Sequence, residues 1–150
     1  MKIEKQIIKI AKEMNVFDWY KEVVFNNYAN FRGRARRSEF WYFNLIHIAI
    51  MILLVLIGGV LSGGKEPNDF FVAIFGLYLL ATFIPSLAVT IRRLHDVNIS
   101  GWFYLINIIP YLGAFILFIV ACINGTVGTN NYGPDPKKPI DEIDEIGQQV

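Results

Sequence analysis

Residues 31–43 read FRGRARRSEFWYF, and this stretch decides the fold class of the chain. Its first part is basic and its last part aromatic: Arg32, Arg34, Arg36 and Arg37, then Phe40, Trp41, Tyr42 and Phe43. An apolar run without charges follows as far as Leu61. Aromatic residues favour the membrane–water interface and arginines favour its cytoplasmic side. The stretch therefore predicts the cytoplasmic end of a transmembrane helix.

Three apolar blocks carry most of the hydrophobic residues of this 150-residue chain, which is 54% hydrophobic and 18% charged. They are residues 40–61, 70–90 and 102–123, and none of them contains Asp, Glu, Lys or Arg. A helix needs about 20 residues to cross a hydrocarbon core of about 30 Å. The sequence therefore predicts an all-α membrane protein with three transmembrane helices, in a domain over residues 31–123.

Residues 1–30 are predicted to form an amphipathic cytoplasmic or interfacial segment. Through residues 1–20 apolar side chains recur at helical spacing, and lysines gather opposite them: Ile3, Ile7, Ile10, Met14 and Phe17 against Lys2, Lys5, Lys9 and Lys12. Such a helix suits the surface of an anionic membrane, and packing on a partner or a neighbouring chain is the alternative. A second short amphipathic piece over residues 19–28 would continue it.

The basic residues predict the orientation of the chain. Of 14 Lys and Arg, nine precede the first span and two lie between the second and third. With three spans, both groups face the same side, so the N-terminus is expected in the cytoplasm and the C-terminus outside. The side of the tail stays open if Pro110 makes the third span re-entrant. The turn-rich and then acidic residues 124–150 predict an extended, irregular tail that is partly disordered.

Aromatic and polar residues mark particular levels of the spans. Four aromatic residues at the cytoplasmic mouths are expected as interface anchors: Trp41, Tyr42, Trp102 and Tyr104. A polar stripe inside the spans is expected from four residues: His47, Thr82, Ser86 and Asn107. They either line one wall of a polar crevice or satisfy local backbone groups. Such backbone groups are expected near Pro85, which frees the carbonyl of Ala81 and should kink the second span.

Charged residues from two distant segments are expected to meet at the cytoplasmic interface: Arg34, Arg37, Glu39, Arg92, Arg93, His95 and Asp96. Arg92 and Asp96 stand four residues apart on a continuing helix and can pair. Four arginines against two carboxylates leave about two positive charges, and guanidinium groups suit phosphate oxygens. The leading hypothesis is that this cluster binds an anionic lipid headgroup or another phosphorylated ligand, so anionic membrane lipids are the expected partners.

Two other functions are consistent with the same residues. In the first, the cluster is the mouth of a crevice in an oligomeric transporter or channel subunit for small solutes. In the second, the protein is purely structural or partner-binding, and the cluster is a clamp between helices. A homo-oligomer or another membrane protein is an open possibility as partner.

Catalysis is not expected. Adjacent His95 and Asp96 diverge by about 100° on a helix, so together with Ser100 they fit a catalytic triad badly. The single cysteine, Cys122, excludes a multi-cysteine metal site, and neither a metal nor a cofactor is expected. Nucleic acid is not expected as a partner, because membrane orientation by itself accounts for basic residues beside a span.

Three motifs follow one another in the chain. The first comprises Tyr28, Phe31, Gly33, Arg34, Arg37, Glu39, Phe40 and Trp41. The second comprises Arg92, Arg93, Leu94, His95, Asp96, Ser100, Gly101 and Trp102, and the third Gly125, Gly128, Asn130, Tyr132, Gly133, Asp135 and Pro136. Over about residues 19–136 the chain resembles the bacterial membrane family called domain of unknown function 805. The resemblance implies a small protein of the bacterial inner membrane, in a family without an established activity.

Overall fold

A computed structural model describes residues 14–63, 66 and 68–137, and within them the regular elements are all helical. Helix α1 spans Val16–Lys21 and continues as a π-helical turn over Glu22–Asn26. Helix α2 spans Arg37–Leu61 and α3 spans Asp69–Asp96. A 3₁₀ helix over Gly101–Ile108 precedes α4, which spans Leu112–Cys122.

Helices α2 and α3 are the two long apolar helices of the described chain. With 25 and 28 residues, both have the length and composition needed to cross a membrane. Within their most apolar windows, 6% of the α2 residues and 22% of the α3 residues are buried in the protein. Most apolar side chains of the two helices therefore face outward, as contact with lipid requires.

Residues 102–123 do not form the predicted third transmembrane helix. The segment is divided into the 3₁₀ helix and the 11-residue α4, and Tyr111 between them has a φ of 62°. Each arm is about 16 Å long, roughly half of the hydrocarbon core. The arms lie side by side, since a Cβ on Gly113 would stand 2.1 Å from the Ile106 carbonyl oxygen. Pro110 and the positive φ after it reverse the chain, so residues 102–123 are not the single continuous helix that was predicted, and three spans are not confirmed.

Both ends of this short hairpin lie where α2 begins and α3 ends, which we call the charged end. At the start of the hairpin, a Cβ on Gly101 would stand 2.8 Å from Ile91 of α3. After its end, Asn124 accepts a hydrogen bond of 2.6 Å from Arg37 at the start of α2. The prediction that the tail emerges at the opposite end is therefore wrong for residues 124–137, and residues 138–150 lie outside the described part.

The described part of the N-terminal segment packs on the protein. Asn15 has an extended backbone and forms a capping box with Asp18, so α1 begins at Val16. A continuous helix over residues 1–20 is therefore wrong at Asn15, and residues 1–13 lie outside the described part. The inner face of this segment joins a small core at the charged end: Trp19, Val23, Ala35, Phe43 and Val89 are all buried.

Candidate functional site at the charged end

The last turns of α3 hold four polar side chains that reach different neighbours: Arg92, Arg93, His95 and Asp96. Successive residues of a helix point in directions about 100° apart, so such a run cannot share one partner. Arg92, Arg93 and Asp96 are buried, and His95 is half-buried. The charged end is therefore built from contacts that radiate from one helix end.

The carboxylate of Asp96 binds two arginines. Arg34 lies 3.0 Å from Oδ1, and Arg93 donates to Oδ2. The four-residue spacing predicted that Arg92 pairs with Asp96. Instead, Arg92 lies 2.5 Å from Oε1 of Glu39 in α2. Because a buried charge needs a partner, these pairs tie the loop before α2, α2 itself and α3 together.

Four arginines also donate to the end of α4 and to the tail: Arg36 donates from Nε to the Pro136 carbonyl at 2.5 Å, and Arg34, Arg37 and Arg93 donate to residues 121–128. The last carbonyls of a helix have no partner within it, and basic side chains can satisfy them. Arg34 donates to the carbonyl oxygens of Thr126 and Gly128, at 2.5 and 2.6 Å. Arg93 donates to those of Ala121 and Ile123. Arg37 donates to the Cys122 carbonyl and to Oδ1 of Asn124. The same arginines that bind Asp96 or begin α2 thus hold residues 121–128.

The tail itself lies directly on Asp96. A Cβ on Gly125 would stand 2.1 Å from Oδ2 of Asp96, so the chain can pass there only with a glycine. The backbone N–H of Thr126 donates to the Asp96 carbonyl at 2.8 Å, and the side chain of Asn130 donates to the His95 carbonyl at 2.8 Å. These contacts give two residues of the third motif, Gly125 and Asn130, a place against the end of α3.

The ring of His95 is held on two sides. Its Nδ1 lies 3.1 Å from the Gly33 carbonyl oxygen, and its plane stacks on Tyr132 at 3.9 Å. Ser100 is not its partner, since the Ser100 hydroxyl accepts from the Trp102 backbone at 3.4 Å. The described residues therefore contain no Ser–His hydrogen bond of the kind that a catalytic triad needs. Nor do three or more of their His, Cys, Asp and Glu side chains meet in a way that could hold a metal ion.

A polar cavity of about 340 Å³ opens beside Arg92. Its wall is formed by Met14, Trp19, Glu22, Asn27, Asn30, Arg32, Gly33, Arg34, Arg36, Glu39 and Arg92. Arg92 is 3% exposed, and its Nε and Nη2 have no hydrogen-bond partner among the described residues. The wall holds four arginines and two carboxylates, so it is positively charged overall. This cavity combines unused buried donors with a positive field, which is the arrangement that an anion needs.

The polar residues inside the spans do not line one crevice. His47 Nδ1 lies 2.8 Å from the hydroxyl of Tyr78, and Thr82 donates to the Tyr78 carbonyl at 2.7 Å. The hydroxyl of Ser86 is buried without a partner among the described residues. Asn107 lies apart from them, in the wall of a cleft between α2, α3 and the hairpin. The structure therefore does not bring the four predicted residues together.

A hydrogen bond that the sequence did not predict satisfies the backbone carbonyl that Pro85 leaves free in α3. Pro85 cannot donate to the carbonyl of Ala81. The hydroxyl of Tyr28 donates to that carbonyl at 2.8 Å, across 53 residues of chain. The sequence indicated the free carbonyl but not its donor, although Tyr28 is the first residue of the first motif.

The predicted interface anchors lie near the charged end. Trp41 packs edge-on against Phe118 of α4 at 5.5 Å. Tyr42 and Trp102 are exposed, and Tyr104 lies half-buried between two cavities. The residues that sequence reasoning missed belong to the polar cavity: Glu22, Asn27 and Asn30 carry no motif of their own, whereas Arg32 and Arg36 stood in the basic stretch.

Comparisons with known proteins agree with a membrane location. The family model described as protein of unknown function (DUF805) matches residues 28–134. The inner membrane protein YhaI of Escherichia coli K12 is 44% identical over 119 residues, which cover 79% of this chain and 95% of YhaI. The inner membrane protein YhaH of the same strain is 40% identical over 120 residues, covering 80% and 97% of the two chains. No solved structure matches the chain.

Proposed function

This chain belongs to the DUF805 family and is an inner-membrane protein, and from that premise we propose that it binds a phosphate-bearing anion in the polar cavity beside Arg92. One observation carries the proposal: the buried Arg92 belongs to the positively charged wall of this cavity, and its Nε and Nη2 have no partner among the described residues. Leaving a buried donor unpaired costs about 1–3 kcal/mol, and phosphate oxygens suit the guanidinium fork.

The contacts favour a smaller site than the seven-residue cluster expected from the sequence. Arg34 and Arg93 share the single charge of Asp96 and also donate to backbone carbonyls, and Arg37 donates to Asn124 after the end of α4. Arg92 has one bond to Glu39 and two unused donors. The anion is therefore assigned to Arg92 together with Arg32 from the same wall, whereas Arg36 of that wall donates from Nε to the Pro136 carbonyl at 2.5 Å.

A second role suits the remaining charged residues. Asp96 with Arg34 and Arg93 joins the loop before α2, the end of α3 and the tail. We propose that these residues form a structural clamp that holds these segments together. The clamp and the anion site then share one helix end but use different arginines. Two of the three functions that the sequence left open, anion binding and the structural clamp, are therefore compatible with each other.

The contacts also support a topology with both described termini on one side. Helices α2 and α3 cross the membrane, and the hairpin over residues 101–122 enters and leaves at the charged end. Eight of the 14 basic residues precede α2, Arg37 begins it, and Arg92 and Arg93 lie in the last turns of α3, so this end faces the cytoplasm. Residues 124–137 then lie on the cytoplasmic side.

The anion proposal is tested by native mass spectrometry of the purified protein with phosphatidylglycerol, phosphatidylcholine or inorganic phosphate added separately. Arg32→Gln removes an exposed charge from the cavity wall, and Lys21→Gln removes an exposed charge outside it. We expect phosphatidylglycerol to be retained by the wild type and by Lys21→Gln, and to be lost severalfold from Arg32→Gln.

The three ligands separate the sources of the phosphate. Displacement of phosphatidylglycerol by inorganic phosphate would show that the phosphate group alone is recognised. Retention of the lipid in excess phosphate would show that the glycerol headgroup and the chains contribute. Equal retention of both lipids by all variants would contradict the proposal.

A further inference from the structure

A second cavity lies at the charged end and shares no wall residue with the polar cavity. Its volume is about 500 Å³, within the range of about 300–1,000 Å³ that is usual for small-molecule sites. Four aromatic residues contribute to its otherwise largely aliphatic wall: Phe31, Trp102, Tyr104 and Tyr132. We call it the apolar cavity. Because no arginine, lysine or carboxylate lines it, an anion is not its ligand.

The imidazole of His95 is the ionisable group of this wall that can titrate near neutral pH. Its Nδ1 lies 3.1 Å from the Gly33 carbonyl oxygen. A carbonyl oxygen can only accept, so Nδ1 must carry the hydrogen, and Nε2 of the neutral ring is then an acceptor. None of the described residues donates a hydrogen bond to Nε2.

Gly101 lies close to this acceptor, and any side chain at residue 101 would crowd it. A Cβ on Gly101 would stand 3.3 Å from Nε2 of His95 and 2.8 Å from Ile91. The ring cannot turn away freely, because it is bonded to Gly33 and stacked on Tyr132. The cavity therefore combines an apolar, aromatic wall with one fixed and unused hydrogen-bond acceptor.

We propose that the apolar cavity binds a membrane-soluble hydroquinone, with one hydroxyl donating to Nε2 of His95. The ring of the ligand would lie among the aromatic side chains, where ring pairs favour offset or edge-on packing. Its apolar tail would continue into the lipid that surrounds α3 and the hairpin. A lipid acyl chain would fill the same space but leave Nε2 unpaired, which is unfavourable for a half-buried polar atom. The proposal concerns binding alone and is independent of the anion site.

The test compares three probes that share one ring substitution and one tail, on the full chain in nanodiscs, without oxygen and at a pH where imidazole is neutral. Decylubiquinol carries two hydroxyl donors, whereas its dimethyl ether and the oxidised quinone carry none. We expect saturable binding of the hydroquinone, about tenfold tighter than that of either other probe, since one hydrogen bond to His95 separates them. Equal affinity for all three probes would overturn the proposal and indicate a groove for any apolar chain.

Two leucines of similar exposure provide matched variants. Leu105 lines the cavity and is 52% exposed, whereas Leu112 lies outside its wall and is 53% exposed. Leu105→Trp should fill the cavity and weaken hydroquinone binding at least tenfold, and Leu112→Trp should leave it unchanged. Unchanged binding by Leu105→Trp, or no saturable binding by the wild type, would overturn the proposal.

The acceptor itself is tested with His95→Phe. This change also removes the bond to Gly33, so the absolute affinity is not the readout. The readout is the ratio of the affinities for decylubiquinol and its dimethyl ether, which should fall from about tenfold to about one. A ratio that stays at the wild-type value would show that His95 does not receive the hydroxyl, and would overturn the proposal.

Discussion

Arg34 and Asp96 stand 62 residues apart in the chain, yet their side chains lie 3.0 Å apart and are 1% and 2% exposed. The same carboxylate also accepts from Arg93, and the same guanidinium holds the Thr126 and Gly128 carbonyls of the tail. This pair therefore connects the entry to α2, the end of α3 and the chain after α4. Because Arg34 and Asp96 are buried as a pair, these charged residues can occupy the end of an otherwise apolar bundle.

Asp96→Asn should destabilise the protein strongly. The change leaves Arg34 and Arg93 buried without a counter-charge, which costs roughly 3–5 kcal/mol. Thermal unfolding in detergent measures the effect, and the exposed Glu66→Gln serves as the control that should change little. An Asp96→Asn protein that unfolds at the wild-type temperature would show that the two arginines find other acceptors.

Gly125→Ala should release the tail from α3. The new Cβ would stand 2.1 Å from Oδ2 of Asp96, so either the tail or the carboxylate must move. We expect faster proteolysis after residue 122 and a lower unfolding temperature. Gly59→Ala is the control, because a Cβ there meets no atom within 4 Å and alanine favours a helix. Equal proteolysis of the two variants would contradict this account of Gly125.

Tyr28→Phe should cost about 1–3 kcal/mol, because the Ala81 carbonyl loses its donor. In a Pro85→Ala background, residue 85 regains a backbone N–H that can bond to the same carbonyl. The cost of Tyr28→Phe should therefore be smaller there, and a double-mutant cycle of unfolding free energies measures the difference. Additive effects would show that Tyr28 and Pro85 act independently.

Cysteine labelling should find the tail on the cytoplasmic side. With Cys122 replaced by Ser, Val127→Cys places a thiol at a position that is 91% exposed. A membrane-impermeant maleimide should label it only after the cells are opened, whereas Glu66→Cys, between α2 and α3, should be labelled in intact cells. Labelling of both positions in intact cells would favour three full spans.

The helical class and the positions of α2 and α3 were predictable from local sequence. Their apolar runs are long enough to cross a membrane, and each is bounded by aromatic or charged residues that mark an interface. The interruption of the third run was harder to predict. Pro110 indicates a kink, but a kinked helix and a hairpin contain the same apolar residues. The difference depends on the positive φ of Tyr111 and on Gly113, which lets the two arms touch.

The sequence correctly predicted ion pairs at the charged end, but it did not predict which residues form them. The four-residue spacing of Arg92 and Asp96 indicates an intrahelical pair, whereas each binds a residue from another segment. Helical spacing describes neighbours on one isolated helix. In a helix bundle, a buried charged side chain pairs with the group that binds it most strongly, and that group can come from any position along the chain.

The sequence by itself determined that this protein is helical, that it resides in a membrane and that its arginines collect near the spans, because hydropathy and charge act through local composition. The tertiary structure alone decided that the third apolar run folds into a hairpin, that Asp96 binds Arg34 and Arg93, and that two donors of Arg92 have no partner among the described residues. Those features depend on which distant groups share a buried space, and the free energy of a buried polar group depends on its neighbours in space and not on its position along the chain.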